Sequence, residues 1–152
     1  MSLRWLSPLV AASLVALPLA GQSVEQKNAV KLVKDAIAYG NANGKDKLFK
    51  EASMVGGKFH VTSESSLYVL IYDLKGVCMG HGFKVNQVGS NRFQVQDKDG
   101  KFYIQEFLKL AKEKGSGWVD YKYENPATKK LENKTTYVEL WGEYVVGCGV
   151  YK

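Results

Sequence analysis

The sequence of 152 residues has few of the features that point to a particular chemistry. It has two cysteines and two histidines, and its 21 basic residues are spread along the chain without an arginine-rich or aromatic-interleaved block. The net charge of +6 therefore indicates a solvated basic surface and gives no support for nucleic-acid binding. The sequence has no Gly-x-Ser-x-Gly, no phosphate-binding glycine loop, no Cys-x-x-Cys-His and no carboxylate pair close to His81. We predict neither an enzyme nor a bound cofactor.

Long hydrophobic runs are also missing after residue 23, where no stretch approaches the roughly 20 apolar residues that a membrane-spanning helix needs. Residues 1–23 carry Arg4 as their only charge, continue with about 15 mostly apolar residues, and end in small and polar ones. This layout predicts a secretory signal peptide over residues 1–23, cleaved after Ala20 or Ser23, with an uncleaved anchor as the alternative. We expect a single domain over residues 24–152, located in the periplasm.

The spacing of apolar residues changes along the chain from a helical to a strand period. A long amphipathic pattern comes first, followed by a hairpin, a second strong helix and three closing strands. The predicted class is α+β, with one antiparallel-rich sheet and a long N-terminal helix on one face. Helices are predicted over residues 24–39, 46–52 and 102–114, and strands over residues 67–72, 77–82, 117–123, 134–140 and 143–150.

Five segments carry a resemblance to a known family: LYVLIYD at 67–73, GVCMGHG at 76–82, DKDGKF at 97–102, GWVDYKYENP at 117–126 and VVGCGVY at 145–151. In this order they resemble a single Cache domain of bacterial extracytoplasmic sensors. The resemblance implies a PAS-like, five-stranded sheet of order 2-1-5-4-3, a long helix behind it and a small-ligand pocket in front. Such sensors usually continue into a transmembrane helix and a signalling module, and the sequence contains no kinase, methyl-accepting or cyclase segment. The expected function is therefore a stand-alone sensor that acts through a partner, such as a membrane receptor.

His81 is the first candidate for ligand contact, because Gly80 and Gly82 beside it allow the backbone to approach a cleft closely. A histidine at the end of a strand can hold a carboxylate, and it can equally be satisfied by backbone groups. The resemblance favours ligand contact and implies a small organic acid. Lys84 is a candidate cationic partner for that anion, with an ordinary surface lysine as the alternative.

Aromatic side chains on the strands are the other pocket candidates, since a ring with a polar tip offers contact area and a hydrogen bond together. We select Tyr68, Trp118, Tyr121 and Tyr137. Trp118 and Tyr121 must face opposite sides of their strand, so only one of these two faces can line the pocket. The alternative function is a structural or interaction domain whose sheet face is filled by its own aromatic rings.

Cys78 and Cys148 allow two interpretations. Export favours a disulfide, whereas the strand order implied by the resemblance places one strand between them. Their separation would then be about twice the 4.8 Å strand spacing, beyond the roughly 7 Å limit for a bridge. We expect free, buried thiols. Cys78 and His81 differ by an odd number and should face opposite sides of a continuous strand, so no metal site is predicted.

Overall fold

The computed structural model describes residues 21–152, so residues 1–20 of the predicted signal peptide lie outside the described residues. The first helix, α1 (Val24–Asn43), starts at a capping box, in which the Ser23 hydroxyl accepts from the Gln26 amide and the Gln26 side chain accepts from the Ser23 amide. The predicted helix ended at residue 39, and the observed one continues to Asn43. Gly40 is retained inside it because the Trp141 ring packs where a β-carbon would lie.

The remaining elements follow the predicted order. No helix within residues 21–152 has the length and apolar character needed to cross a membrane. A second helix, α2, covers Lys45–Ser53, and α3 covers Tyr103–Lys114, while a short 3-10 helix spans Val85–Gln87. The strands are β1 (Val69–Asp73), β2 (Cys78–His81), β3 (Ser116–Glu124), β4 (Leu131–Trp141) and β5 (Tyr144–Tyr151).

All neighbouring strands of the sheet are antiparallel and lie in the order β2-β1-β5-β4-β3. The expected class, α+β with a PAS-like five-stranded sheet and a long N-terminal helix, is confirmed. Each face of the sheet buries its own hydrophobic cluster. The rear face packs against α1 and α2, and the front face packs against α3 and the segment that joins β2 to α3.

A β-bulge in β2 changes which of its side chains share a face. Ile71 pairs with Gly80, but Tyr72 pairs with Cys78, so Met79 is the extra residue. Cys78 and His81 therefore lie on the same, front face, and the expectation that they face opposite sides was wrong. Within residues 21–152 no group of three or more His, Cys, Asp or Glu side chains is arranged to hold a metal ion.

Both cysteines are free and buried, as expected. Cys78 packs in the front cluster and Cys148 in the rear cluster, and β1 lies between their strands. Burial raises the pKa of the Cys78 thiol to about 11 and that of Cys148 to about 12. Both thiols are thus protonated, inert core groups at neutral pH.

Candidate functional site

Lys134 of β4 is the most unusual residue of the front face. Only 1% of it is exposed, and its Nζ donates a 2.7 Å hydrogen bond to the Tyr68 hydroxyl. The ion pairs formed within residues 21–152 do not include Lys134. A buried ammonium without an acidic partner is costly for a protein, because water no longer solvates the charge.

Four tyrosine rings surround this amine. The Nζ atom lies 4.2 Å from the ring centroid of Tyr68, 5.0 Å from Tyr151, 5.2 Å from Tyr123 and 6.0 Å from Tyr121. These cation–π contacts partly replace the lost solvation. The Lys134 cluster is defined here as Lys134, the four tyrosines and His81.

Strand alternation brings the cluster together. Residues 121 and 123 share one face of β3, and the antiparallel pairing of Tyr121 with Lys134 places the lysine on that same face. The stem of Lys134 crosses β5 at Gly149, where an added β-carbon would collide with both the lysine stem and the Thr136 hydroxyl. Gly149 therefore provides the space that Lys134 occupies.

Hydrogen bonds fix the hydroxyl groups of the cluster. The Tyr68 hydroxyl accepts from Lys134, and the Tyr151 hydroxyl donates to the Glu124 carbonyl at 2.6 Å. The Tyr121 hydroxyl bonds the Thr136 hydroxyl at 3.0 Å. Because burial raises the pKa of Tyr68 and Tyr121 well above the ordinary value, neither ring supplies a negative charge to Lys134.

Burial also sets the charge state of the lysine. Desolvation lowers the pKa of Lys134 to about 7. The amine is consequently close to half protonated at neutral pH. An anion bound next to it would favour the protonated form.

His81 is held as a neutral ring. Its Nδ1 accepts hydrogen bonds from the backbone amides of Lys84 at 2.9 Å and Phe83 at 3.2 Å, which leaves the proton on Nε2. Desolvation first, and the positive charges of Lys134 and Arg92 next, lower the pKa of His81 to about 3. The ring lies 5.2 Å from that of Tyr68.

The six residues selected from the sequence lie in three places: the Lys134 cluster, the rear face and the edge of the front face. Tyr68, His81 and Tyr121 meet in the Lys134 cluster. Trp118 and Tyr137 lie together on the rear face, with ring centroids 5.6 Å apart, because Trp118 differs from Tyr121 by an odd number and pairs with Tyr137.

Trp118 and Tyr137 therefore belong to the rear cluster, which packs against α1 and α2, and not to the Lys134 cluster. The Tyr137 hydroxyl donates to Glu139 at 2.7 Å, and Glu139 forms an ion pair with Lys34 of α1 at 2.8 Å. Lys84 lies at the edge of the front face, where its amine pairs with Glu124 at 2.7 Å. It is a paired, partly exposed cation.

Sequence reasoning missed Lys134, Tyr123 and Tyr151. The signal for Lys134 was available, since it has the same parity as the core residues Thr136 and Val138 at the start of a buried strand. Because lysine side chains are usually solvated, the residue type alone gave no indication of this burial. Tyr123 shared a face with Tyr121 in the predicted alternation.

A surface groove of about 450 Å³ lies beside β3, the edge strand of the sheet. Its lining includes Asp97, Lys101 and Asp120, and also Tyr121 and Lys134. The groove therefore adjoins two residues of the Lys134 cluster at the edge of the sheet.

Solved structures share this fold. The periplasmic sensor domain of a chemotaxis protein is 25% identical, with a TM-score of 0.63 over 82% of this chain and 88% of that one. A Cache chemosensory domain, described in a work on carboxylic acid recognition, is 24% identical, with a TM-score of 0.67 over 86% and 99% of the two chains. The fold is thus that of extracytoplasmic, PAS-like sensor domains.

The profile of the family "Single Cache domain 2" matches residues 21–152, and the chain belongs to this family of ligand-sensing domains. The sensor histidine kinase MctS of Rhizobium johnstonii is 33% identical over 87 residues. That match covers 55% of this chain and 18% of the kinase, so the chain spans less than a fifth of this curated relative. The expected resemblance is confirmed.

Proposed function

We propose that this domain senses a small carboxylate, which binds with its carboxylate group against the Lys134 amine. The observation that carries the proposal is a fully buried lysine with no acidic partner in the described chain. A ligand carboxylate would supply the missing counter-charge where water is excluded and the attraction is therefore strong.

The other members of the Lys134 cluster suit the same ligand. The Tyr68 hydroxyl contacts the amine, the His81 ring 5.2 Å from Tyr68 carries a neutral Nε2–H donor, and tyrosine rings provide an apolar wall for a short carbon chain. A ligand would displace part of the present packing by a change in side-chain rotamers. The work on carboxylic acid recognition by a related Cache domain supports this ligand class.

The proposal includes transmission of the bound state to a partner protein. The chain aligns with 18% of the related sensor histidine kinase. The name of that kinase indicates that the longer protein produces the signal. We infer that a partner, such as a membrane receptor, recognises the bound state. Residues 1–23 fit this proposal as the signal that takes the domain to the periplasm.

A Lys134→Met variant tests the proposal. Calorimetric titration with acetate, propionate and butyrate is expected to give saturable binding to the wild-type chain and at least a 100-fold loss of affinity in the variant. The reason is that methionine keeps the volume but removes the charged donor, and losing one partner of a buried charged pair costs about 2–5 kcal/mol.

Lys84→Met is the matched control, because it removes a lysine that is already paired with Glu124 at the edge of the front face. It is expected to bind within about threefold of wild type. If no carboxylate bound to the wild-type chain, or if Lys134→Met bound as tightly as Lys84→Met, the proposal would be wrong. An interaction domain filled by its own rings would then be the better explanation.

Carboxylate binding is also expected to take up a proton. The free domain holds Lys134 with a pKa of about 7, and an adjacent carboxylate raises that value. At pH 8 most free amines are neutral and must gain a proton in the complex, so affinity falls as the pH rises above 7. Titrations in two buffers of different ionisation enthalpy should give an uptake close to one proton at pH 8 and little at pH 5.5. Zero uptake at both pH values would contradict the assigned role of the amine.

A further inference from the structure

The segment that follows β2, residues 83–88, lies across the front face and is named the lid here. It contains the short 3-10 helix Val85–Gln87 and no buried residue, and Val85 and Val88 are 36% and 41% exposed. A segment with few buried contacts opens at a low cost in free energy. The lid is therefore the part of the front face that moves with the least disturbance of the core.

Backbone hydrogen bonds fix the chain on both sides of the lid. The Gly82 amide donates to the Val69 carbonyl before it, and the Gly89 amide donates to the Cys78 carbonyl after it, both at 2.8 Å. The amides of residues 87 and 88 donate to carbonyl groups inside the lid itself. Gly89 has a φ of 88°, which glycine adopts without strain. A locally bonded segment between two fixed points is the layout of a hinged loop.

The lid contacts the rings that surround Lys134. The Phe83 ring lies 5.6 Å from the Tyr68 ring, and the Gln87 side-chain amide donates to the Tyr123 hydroxyl at 3.1 Å. Tyr68 and Tyr123 are two of the four rings around the amine, with centroids 4.2 Å and 5.2 Å from Nζ. Because Lys134 is only 1% exposed, a solute reaches its amine only when a covering segment moves.

Two side-chain contacts link the lid to β3 within the described part of the chain. One is the hydrogen bond from Gln87 to Tyr123, and the other is the ion pair of Lys84 with Glu124 at 2.7 Å, whose side chains are 31% and 35% exposed. The Glu124 carbonyl also accepts from the hydroxyl of Tyr151, a third ring of the cluster. A partly exposed ion pair and a single hydrogen bond are each weak, so both break and re-form readily.

We propose that residues 83–88 open as a lid that admits small solutes to the Lys134 amine, with the Lys84–Glu124 and Gln87–Tyr123 contacts as its two latches. The strands are bonded to their neighbours in the sheet, and α3 buries five residues, so these elements are poor candidates for the movement. Opening withdraws the Lys84 amide from the Nδ1 of His81. Only the identity of the admitted solute rests on the proposed function, and the movement itself is tested without a carboxylate.

Acetylation by the N-hydroxysuccinimide ester of acetic acid measures how often the lid opens, because the reagent must touch Nζ to react. Mass spectrometry of the digested chain gives the rate at Lys134 relative to that at the exposed Lys47. We expect Lys84→Met and Gln87→Ala each to raise this relative rate about threefold, and the double variant to raise it about 10-fold. Removal of the Lys84 charge favours the protonated, unreactive form of Lys134, so a faster reaction cannot arise from the change in charge.

Lys34→Met is the matched control, because it removes a partly exposed ion pair of similar length, 2.8 Å to Glu139, on the rear face. It is expected to keep the relative rate within about 1.5-fold of wild type. Hydrogen exchange of the Lys84 amide, measured by NMR, gives a second readout. It should quicken in the lid variants and not in the control, since this amide leaves His81 when the lid opens.

The lid and the carboxylate site fail in different ways. If the lid variants react no faster than Lys34→Met, or if Lys134 reacts faster while the Lys84 amide exchanges at the wild-type rate, the lid is wrong and the amine is reached by another route, such as the groove beside β3. That result leaves the carboxylate site standing, because the affinity of Lys134→Met tests it. If the lid variants expose the amine but no carboxylate binds to the wild-type chain, the lid stands and the proposed function is wrong.

Discussion

A Lys134→Met variant is expected to be more stable than the wild-type chain at pH 7 and below, and to lose this advantage as the pH rises. The folded state binds the lysine proton with a pKa of about 7, against an ordinary value of 10.5. Below pH 7 the amine is charged in both states, and the folded state carries the whole cost of burying it.

Between pH 7 and 10.5 the unfolded chain binds more protons at this residue, so wild-type stability gains about 1.4 kcal/mol per pH unit from it. Over the whole range from pH 7 to 10.5, the gain in wild-type stability approaches about 5 kcal/mol. Methionine removes the charge but also the hydrogen bond to Tyr68, which offsets about 1 kcal/mol of the gain.

Urea unfolding followed by circular dichroism at several pH values measures this difference. The advantage of Lys134→Met should shrink by about 2 kcal/mol between pH 7 and 8.5. Cys78 and Cys148, whose pKa values are raised, destabilise both chains at alkaline pH and largely cancel in the comparison. Lys84→Met should stay within about 1 kcal/mol of wild type throughout, as expected for a partly exposed ion pair. A constant difference between Lys134→Met and wild type would show that the buried amine does not titrate in this range.

The secondary structure could be predicted because the central and edge strands leave different patterns in the sequence. β5 pairs with β1 and β4 and is buried on both faces, so residues 145–150 contain no charged or strongly polar side chain. β3 is an edge strand, and its charged residues Asp120 and Lys122 alternate with Tyr121 and Tyr123. The order of the strands followed from the family resemblance, because alternation within a strand does not identify its neighbour.

The bulge at Met79 shows what alternation cannot predict. One extra residue reversed the expected relation between Cys78 and His81, and it brought the histidine to the face that carries Tyr68. The choice between two aromatic faces was equally open, because Trp118 and Tyr121 are similar in character and only the positions of the helices decide which one packs against α1. The candidate site was therefore identified in part.

Lys134 was missed for a different reason. A sequence shows that a cation is present but not whether an acidic side chain from a distant segment reaches it. Lys34 and Lys84 pair with Glu139 and Glu124, each on another element, whereas Lys134 does not pair. The feature that marks Lys134 as a candidate ligand contact is the lack of an acidic partner among the described residues, and this feature is visible only in the tertiary structure.

Acid is expected to destabilise the domain through His81, with a size comparable to the Lys134 effect at higher pH. The folded state binds a proton at His81 only near pH 3, whereas the unfolded chain binds it near pH 6.5. Between these values the unfolded state holds more protons, so stability falls by about 1.4 kcal/mol for each pH unit below 6.5. The cause is mainly burial of the ring, because charging it would place a second unsolvated cation beside Lys134.

A His81→Gln variant isolates this contribution, since its amide oxygen can accept from the Phe83 and Lys84 amides but does not titrate. At pH 7 we expect it to be about 1–3 kcal/mol less stable than wild type, because the hydrogen-bond geometry is poorer. From pH 6.5 to 4 wild type should lose about 3 kcal/mol more than the variant, so the two unfolding curves converge or cross. His60→Gln is the matched control, because it replaces the other histidine and leaves the buried His81 ring in place. Its stability should change with pH as steeply as that of the wild type. Parallel pH profiles of wild type and His81→Gln would mean that His81 is solvated or charged in the folded domain, and the neutral donor proposed for ligand binding would then be lost.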